Sequence, residues 1–263
     1  MRLDRYLVEN GYFTSRNKAQ EAINQGKVKV DGKLAKASFS VIGTEDICVI
    51  KEQNEFVSRG GKKLSKALDF FSLTVEGFRA LDIGASTGGF TDCLLKRGAA
   101  KVVAVDVGEN QLVSTLKADP RVTSLEKTNI KTLTPESVGS FDLVTIDVSF
   151  ISLTCFLDRL PLFLNLGAQI IALIKPQFEA GPSNIGKKGI VKDPKVHLQV
   201  LEKVILKAET VGLYTKGITY SPITGGSGNI EFLACWGLEK KERPTNEELS
   251  LVVNTAHKQV IES

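Results

Sequence analysis

From about residue 62 onward the chain alternates between short apolar runs and segments whose apolar residues recur at helical spacing. The apolar runs predict strands at Arg79–Asp82, Lys101–Asp106, Val122–Glu126, Phe141–Asp147 and Ala168–Lys175. Helical patterns fill most of the gaps. Such alternation predicts a parallel sheet covered on both faces. Two further runs, Tyr214–Tyr220 and Ile230–Leu238, are joined by a Gly/Ser loop with no room for a helix, so they are expected to pair antiparallel. A last helix is expected over Glu247–Ile261, with Leu249, Val252, Val253 and Val260 on one side.

The first 50 or so residues follow a different pattern. Leu3, Leu7 and Val8 recur at helical spacing and Gly11 ends that helix; Thr14 or Ser15 can cap a second one holding Ala19, Ala22 and Ile23 and closed by Gly26. The stretch Lys27–Lys33 alternates apolar and basic residues into an Asp31-Gly32 turn, which signals a hairpin with Val28 and Val30 inward and Lys27, Lys29 and Lys33 outward. A polar linker covers Lys51–Gly61. The expected division is a small α+β domain over residues 1–58 and an α/β domain over residues 59–263.

Charge refines this only in the small domain. The whole chain carries 34 basic and 30 acidic side chains, a net of +4, which permits a nucleic-acid partner without arguing for one. Locally, Arg2, Arg5, Arg16, Lys18, Lys27 and Lys29 can form one basic face of the kind that meets phosphates, with Arg59 in the linker added to the set. Asp4, Glu9, Glu21 and Asp31 are interspersed, so an ordinary solvated surface is the competing reading. Four dispersed cysteines without a CxxC pair, and two histidines, argue against a structural zinc site and suit a reducing cytoplasm. The most apolar stretch, Leu153–Ile174, contains Asp158, Arg159, Pro161 and Asn165 and is not a membrane span. The N-terminus is charged where a signal peptide needs an apolar core.

The candidate chemistry begins at Asp82-Ile83-Gly84-Ala85-Ser86-Thr87-Gly88-Gly89-Phe90, a glycine bend after the first strand of the larger domain. Glycines let the backbone turn sharply and approach a ligand closely. Asp106, at the end of the next strand and roughly 20 residues on, is placed to accept hydrogen bonds from ribose hydroxyls. The bend is neither G-x-G-x-x-G nor a P-loop. Asp82 would repel a pyrophosphate and suits a cationic cofactor such as S-adenosylmethionine. Asn129, past the third strand, can bond an adenine edge or cap a turn. Seven strands with a closing antiparallel hairpin match the class I, Rossmann-like methyltransferase plan.

Asp147 and Lys175 end adjacent predicted strands, and neighbouring strands lie about 4.8 Å apart, so the two can pair. Asp147 is followed by Val148-Ser149, where an amino-group methylase would show Pro-Pro, which argues against methylation of an exocyclic amine. A hydroxyl nucleophile must lose its proton, and a lysine beside it can accept that proton or stabilise the developing charge. Lys63 is a candidate second cation, and Glu231 a candidate second carboxylate.

These segments resemble the TlyA family, whose members carry either hemolysin or ribosomal RNA 2′-O-methyltransferase names. The likeness spans nearly the whole chain. It is carried by Arg2-Leu3-Asp4, Ser15-Arg16, Val28–Gly32, Ser58–Leu64, Asp82–Asp92, Asp147–Leu153, Lys175–Glu179 and Gly228–Leu233. The resemblance implies an RNA-binding module like that of ribosomal protein S4, then an FtsJ-type methyltransferase domain using S-adenosylmethionine. It also implies a Lys–Asp–Lys–Glu tetrad, which falls by motif on Lys63, Asp147, Lys175 and Glu231. Lys175 would activate the 2′-hydroxyl, Asp147 would hold Lys175, and Lys63 and Glu231 would align the nucleotide. Loop 179–193, with Lys187 and Lys188, would close over the RNA. Family substrates are cytidine 2′-hydroxyls in 23S and, in longer members, 16S ribosomal RNA. The chain begins at its first helix, so the 23S type is expected. The expected partner is therefore ribosomal RNA or a ribosomal subunit, with no stable membrane association. A membrane-active hemolysin and a non-catalytic RNA-binding protein are the rival readings.

Overall fold

The computed structural model describes residues 1–261 except Thr14, Gln25, Ala37, Ser38, 50–54 and Lys187, with Val260 and Ile261 described as backbone only. Cap residue Thr14, loop residue Lys187 and the Val260 side chain therefore lie outside the described residues. The chain divides into two compact units, Met1–Asn54 and Glu55–Ser263.

In the first unit, α1 (Leu3–Glu9) and α2 (Arg16–Asn24) pack with β1 (Val28–Val30), β2 (Lys33–Leu34) and β3 (Ile47–Val49). Leu3, Leu7, Ala19, Ala22, Ile23, Val28 and Val30 form its core, as their spacing requires. Ser15 Oγ accepts weakly from the Lys18 N–H at 3.4 Å. The hairpin forms with Asp31 and Gly32 both at positive φ, the backbone a type I′ turn needs. The third strand was not legible, because Ile47-Cys48-Val49 is too short a run to stand out. It pairs antiparallel with β1.

The second unit starts four residues before the expected 58/59 boundary, and packing is the reason. Phe56 is buried in the larger core, and the Val57 N–H donates to Asp92 Oδ2 at 2.9 Å. The elements follow as α3 (Gly60–Phe70), β4 (Arg79–Ile83), α4 (Gly89–Lys96), β5 (Lys101–Val105), α5 (Ser114–Lys117), β6 (Val122–Leu125), α6 (Pro135–Val138), β7 (Phe141–Ile146), β8 (Leu164–Ile174), α7 (Pro176–Glu179), α8 (Pro194–Thr210), β9 (Tyr214–Tyr220), β10 (Phe232–Gly237) and α9 (Asn246–Ile261). The strands form one seven-stranded sheet in the order β6-β5-β4-β7-β8-β10-β9. Five run parallel, while β10 is antiparallel to both β8 and β9. Insertion between two strands buries every residue of β10.

Helix α8 shows how the pattern sets the layers. Its buried residues His197, Val200, Leu201, Val204, Ile205 and Ala208 follow the i, i+3, i+4, i+7 rule. Asp193 caps its N-terminus and Pro194 opens it. The gap between β7 and β8 departs from expectation. It holds 3₁₀ turns at Leu153–Cys155 and Leu157–Phe163 rather than an α-helix. Pro161 inside the second turn lacks the N–H that a continued helix would use.

Candidate active site

Four parallel strands, β4, β5, β7 and β8, deliver their carboxyl ends to one edge of the sheet. Because β10 runs the other way, its first residue Phe232 pairs with Ile174, the last of β8. Glu231 thereby arrives beside Lys175, although the two are far apart in sequence. Open α/β sheets bind ligands at this edge.

A cavity of about 460 Å³ opens there, a size suited to a nucleoside-scale ligand. Its wall includes Gly84, Ser86, Asp106, Asn129, Asp147 and Ser149. Asp106 accepts from the Ser86 N–H at 2.8 Å and the Gly108 N–H at 2.7 Å, which fixes its carboxylate between the two strand-end turns. Asn129 both lines the cavity and closes a local turn, its Oδ1 accepting from the Lys131 N–H.

The rest of the glycine bend lies off the cavity wall. Gly88, at φ 100°, is the left-handed residue that opens α4, and a Cβ there would collide with Leu116. A Cβ on Gly89 would strike Ser58, so α3 and α4 pack closely at this point. Ala85 and Phe90 are buried, and the Thr87 carbonyl accepts from the Val113 N–H. Ala85, Thr87, Gly88, Gly89 and Phe90 therefore shape the bend without lining the cavity.

Asp82 is also off the cavity wall. It is fully buried, and its two oxygens accept from Thr91 Oγ1 at 2.6 Å and Thr145 Oγ1 at 3.0 Å. Burial pushes its carboxyl up to about 6, with the Asp147 charge adding to the shift. An acid whose folded pKa is raised opposes folding above that pKa and stops doing so as pH falls through it. Asp82→Asn should therefore raise Tm at pH 7, by up to about 3 kcal/mol of stability if the threonine hydroxyls rotate to serve the amide. The gain should vanish by about pH 4. Thermal unfolding of both proteins across this range checks it, and a gain that is the same at pH 4 and pH 7 contradicts the buried charge as its cause.

Two ion pairs stand at these strand ends, and one of them reaches the cavity wall through Asp147. Lys175 Nζ lies 2.6 Å from Asp147 Oδ1 and donates to Ser149 Oγ at 2.8 Å. Lys63 Nζ donates to Glu231 Oε2 at 2.5 Å. Both lysines and Glu231 are buried, and Gln177 Nε2 reaches Glu231 Oε1 at 3.4 Å. Gly225 leaves room for the Glu231 carboxylate, since a Cβ there would collide with it.

Sequence reasoning missed three contributors here. Ser149 and Gln177 sit in segments it singled out, yet their contacts depend on where β7, β8 and β10 end. Phe150 also lines the cavity, is 91% exposed and adopts φ 65°, a left-handed backbone that is rare for a bulky residue.

Loop 179–193 is tied down near its C-terminal end. The Val191 N–H donates to buried Asn229 Oδ1 at 2.9 Å, and His197 Nε2 donates to the Val191 carbonyl at 3.1 Å. Lys188 is exposed on this docked loop.

In the first unit, the proposed basic face is partly neutralised. Arg2 and Arg16 both pair with buried Asp4, and Arg5 pairs with Glu9. Lys18 is exposed, Lys27 and Lys29 are half-buried, and Arg59, in the second unit, is exposed.

Known families match the chain in the same two parts. Residues 1–47 match the S4 domain and residues 56–238 the FtsJ-like methyltransferase. The fold and the site thus define an FtsJ-like methyltransferase domain preceded in sequence by an S4 domain. The 16S/23S rRNA (cytidine-2′-O)-methyltransferase TlyA of Mycobacterium tuberculosis is 45% identical over 234 residues, covering 88% of this chain and 87% of that protein. Hemolysin A of Brachyspira hyodysenteriae is 44% identical over 237 residues, covering 89% of this chain and 98% of that protein. The solved structure of a hemolysin-named protein from Streptococcus thermophilus has a TM-score of 0.80 at 42% identity, covering 98% of this chain and 96% of that one. The chain belongs to the TlyA family.

Proposed function

We propose that the protein methylates the ribose 2′-hydroxyl of a cytidine in ribosomal RNA, with S-adenosylmethionine as donor. The observation that carries this reading is the Lys175 amine, held by Asp147 and Ser149, two residues that also line the cavity. An amine held behind two lining residues of a nucleoside-sized cavity suits activation of a hydroxyl.

The residues present fit the donor. Asp106 offers a carboxylate for a ribose diol, Asn129 and Thr128 offer polar edges, and Val107 and Ile130 give apolar sides for a base. Gly84 is the cradle, since a Cβ on it would press into the Asp147 backbone. The donor, when bound, supplies an electrophilic methyl group. Lys175 accepts the 2′-hydroxyl proton or stabilises the oxyanion as it forms. Asp147 orients Lys175, while Lys63 and Glu231 align the nucleotide. Phe150 offers an exposed ring at the cavity mouth on which an unstacked base can lie. The S4 domain would contribute phosphate contacts through Arg2, Arg5, Arg16, Lys18, Lys27 and Lys29, and the second unit would offer its own through exposed Arg59.

The test is to map 2′-O-methyl marks in 23S and 16S ribosomal RNA from cells with and without the protein, and to repeat the transfer with purified components. A cytidine mark that disappears with the protein, and returns in vitro only when the donor is added, is expected. Unchanged marks in both RNAs would refute the reading. The hemolysin name supports a rival less well, because among the described residues no helix is long and apolar enough to cross a membrane.

A further inference from the structure

Glu179 is a buried acid outside the tetrad, and its contacts converge on one loop. Its Oε2 accepts from Ser152 Oγ at 2.5 Å and its Oε1 from the Leu153 N–H at 2.7 Å. One residue earlier, the Phe178 ring packs on Phe150, with centroids 5.2 Å apart. Four residues earlier, Lys175 holds Ser149. The short segment Lys175–Glu179 therefore grips residues 149–153 at three points, on both sides of the left-handed Phe150.

A strained backbone persists only where its surroundings over-determine it. Lys175 and Phe178 account for one side of Phe150. On the other side, Glu179 holds the chain where it enters the 3₁₀ turn at Leu153. A carboxylate in this place is costly to bury, and burial pushes its carboxyl above the ordinary value, against the pull of Ser152 and the Leu153 N–H. A purely apolar core residue would fill the space without that cost.

We infer that Glu179 is a positioning residue, which holds loop 149–153 so that Phe150 stays presented at the cavity mouth and Ser149 stays on Lys175. The inference rests on the proposed methyl transfer only for what the presented ring meets.

Two measurements on the full chain test it. The first needs no activity. In Glu179→Ala, amide hydrogen exchange in segment 149–153 should quicken by about tenfold or more, while exchange in β4, β5 and β7 stays as in the parent. Unchanged exchange in the segment overturns the inference, as does faster exchange throughout the sheet. The second is transfer to ribosomal RNA. Glu179→Ala should bind S-adenosylmethionine within about twofold of the parent and lose roughly tenfold in kcat/KM for RNA. Adding Phe150→Ala should cost little more, since both changes remove the same presented ring. Losses that multiply would contradict the inference. Glu179→Gln should remain close to the parent, because its carbonyl oxygen still accepts from Leu153 and its amide donates to Ser152. If Glu179→Ala fails to fold, Ser152→Ala takes its place with the same expected exchange. A parent that methylates no ribosomal RNA refutes the reading of the function, and the exchange result then decides the role of Glu179 alone.

Discussion

Lys175→Ala is expected to slow methyl transfer by about a thousandfold, within the range a positioned proton acceptor or charge stabiliser contributes. Among the described residues the buried amine pairs with Asp147 and Ser149, and the Phe178 ring beside it carries no charge that could take its place. Lys63 is engaged by Glu231. Donor affinity should stay within about twofold, because Lys175 is not on the cavity wall while Asp106 and Asn129 are. The loss should therefore fall on kcat. Lys175→Arg should not restore the rate. A guanidinium stays protonated, and its planar fork does not fit the place of a compact amine between a carboxylate and a hydroxyl. Single-turnover transfer with saturating donor and RNA measures the chemical step directly. Undiminished turnover in the alanine variant would remove Lys175 from the mechanism.

How far the sequence reveals this site depends on the range of the contact. Strand ends could be read, since apolar runs stop at Ile83, Val105, Ile146 and Ile174, and the next residues are Gly84, Asp106, Asp147 and Lys175. The pairing of Asp147 with Lys175 follows once their strands are known to be neighbours. Lys63 with Glu231 is different. It depends on β10 returning antiparallel against β8, and on a glycine at 225 that leaves space for the carboxylate. Each residue is legible as a candidate, but nothing in the spacing or the motif brings the two into contact with each other. Asp82's surroundings were hidden for a related reason. An acid before a glycine bend suits a cationic ligand, but the bend cannot show that Thr91 and Thr145 have already taken both oxygens. Phe150 left no apolar-pattern signal, because its exposure comes from a positive φ that sequence does not announce. The 3₁₀ segment after β7 was legible only at Pro161.

Gly84→Ala is expected to remove donor binding while leaving a folded protein. At φ 82° any L residue is strained, by about 1–2 kcal/mol. The added Cβ would also sit 2.6 Å from the Asp147 carbonyl oxygen. That oxygen is main chain, and the Asp147 N–H is itself tied to the Ile83 carbonyl at 2.9 Å, so the neighbour cannot yield without moving the end of β7. Such a shift displaces Asp147 and Ser149 together, and with them Lys175. Gly212→Ala separates the two effects. Gly212 has a similar φ of 79° but nothing near its absent Cβ, so alanine there meets only the conformational strain. Thermal unfolding should show Gly212→Ala destabilised by about 1 kcal/mol with activity intact, and Gly84→Ala destabilised by about 3 kcal/mol or more. Calorimetric titration with S-adenosylmethionine should show parental affinity for the first and at least about a tenfold loss for the second. If Gly84→Ala binds the donor as tightly as Gly212→Ala, the close approach of the bend to β7 does not shape the donor site.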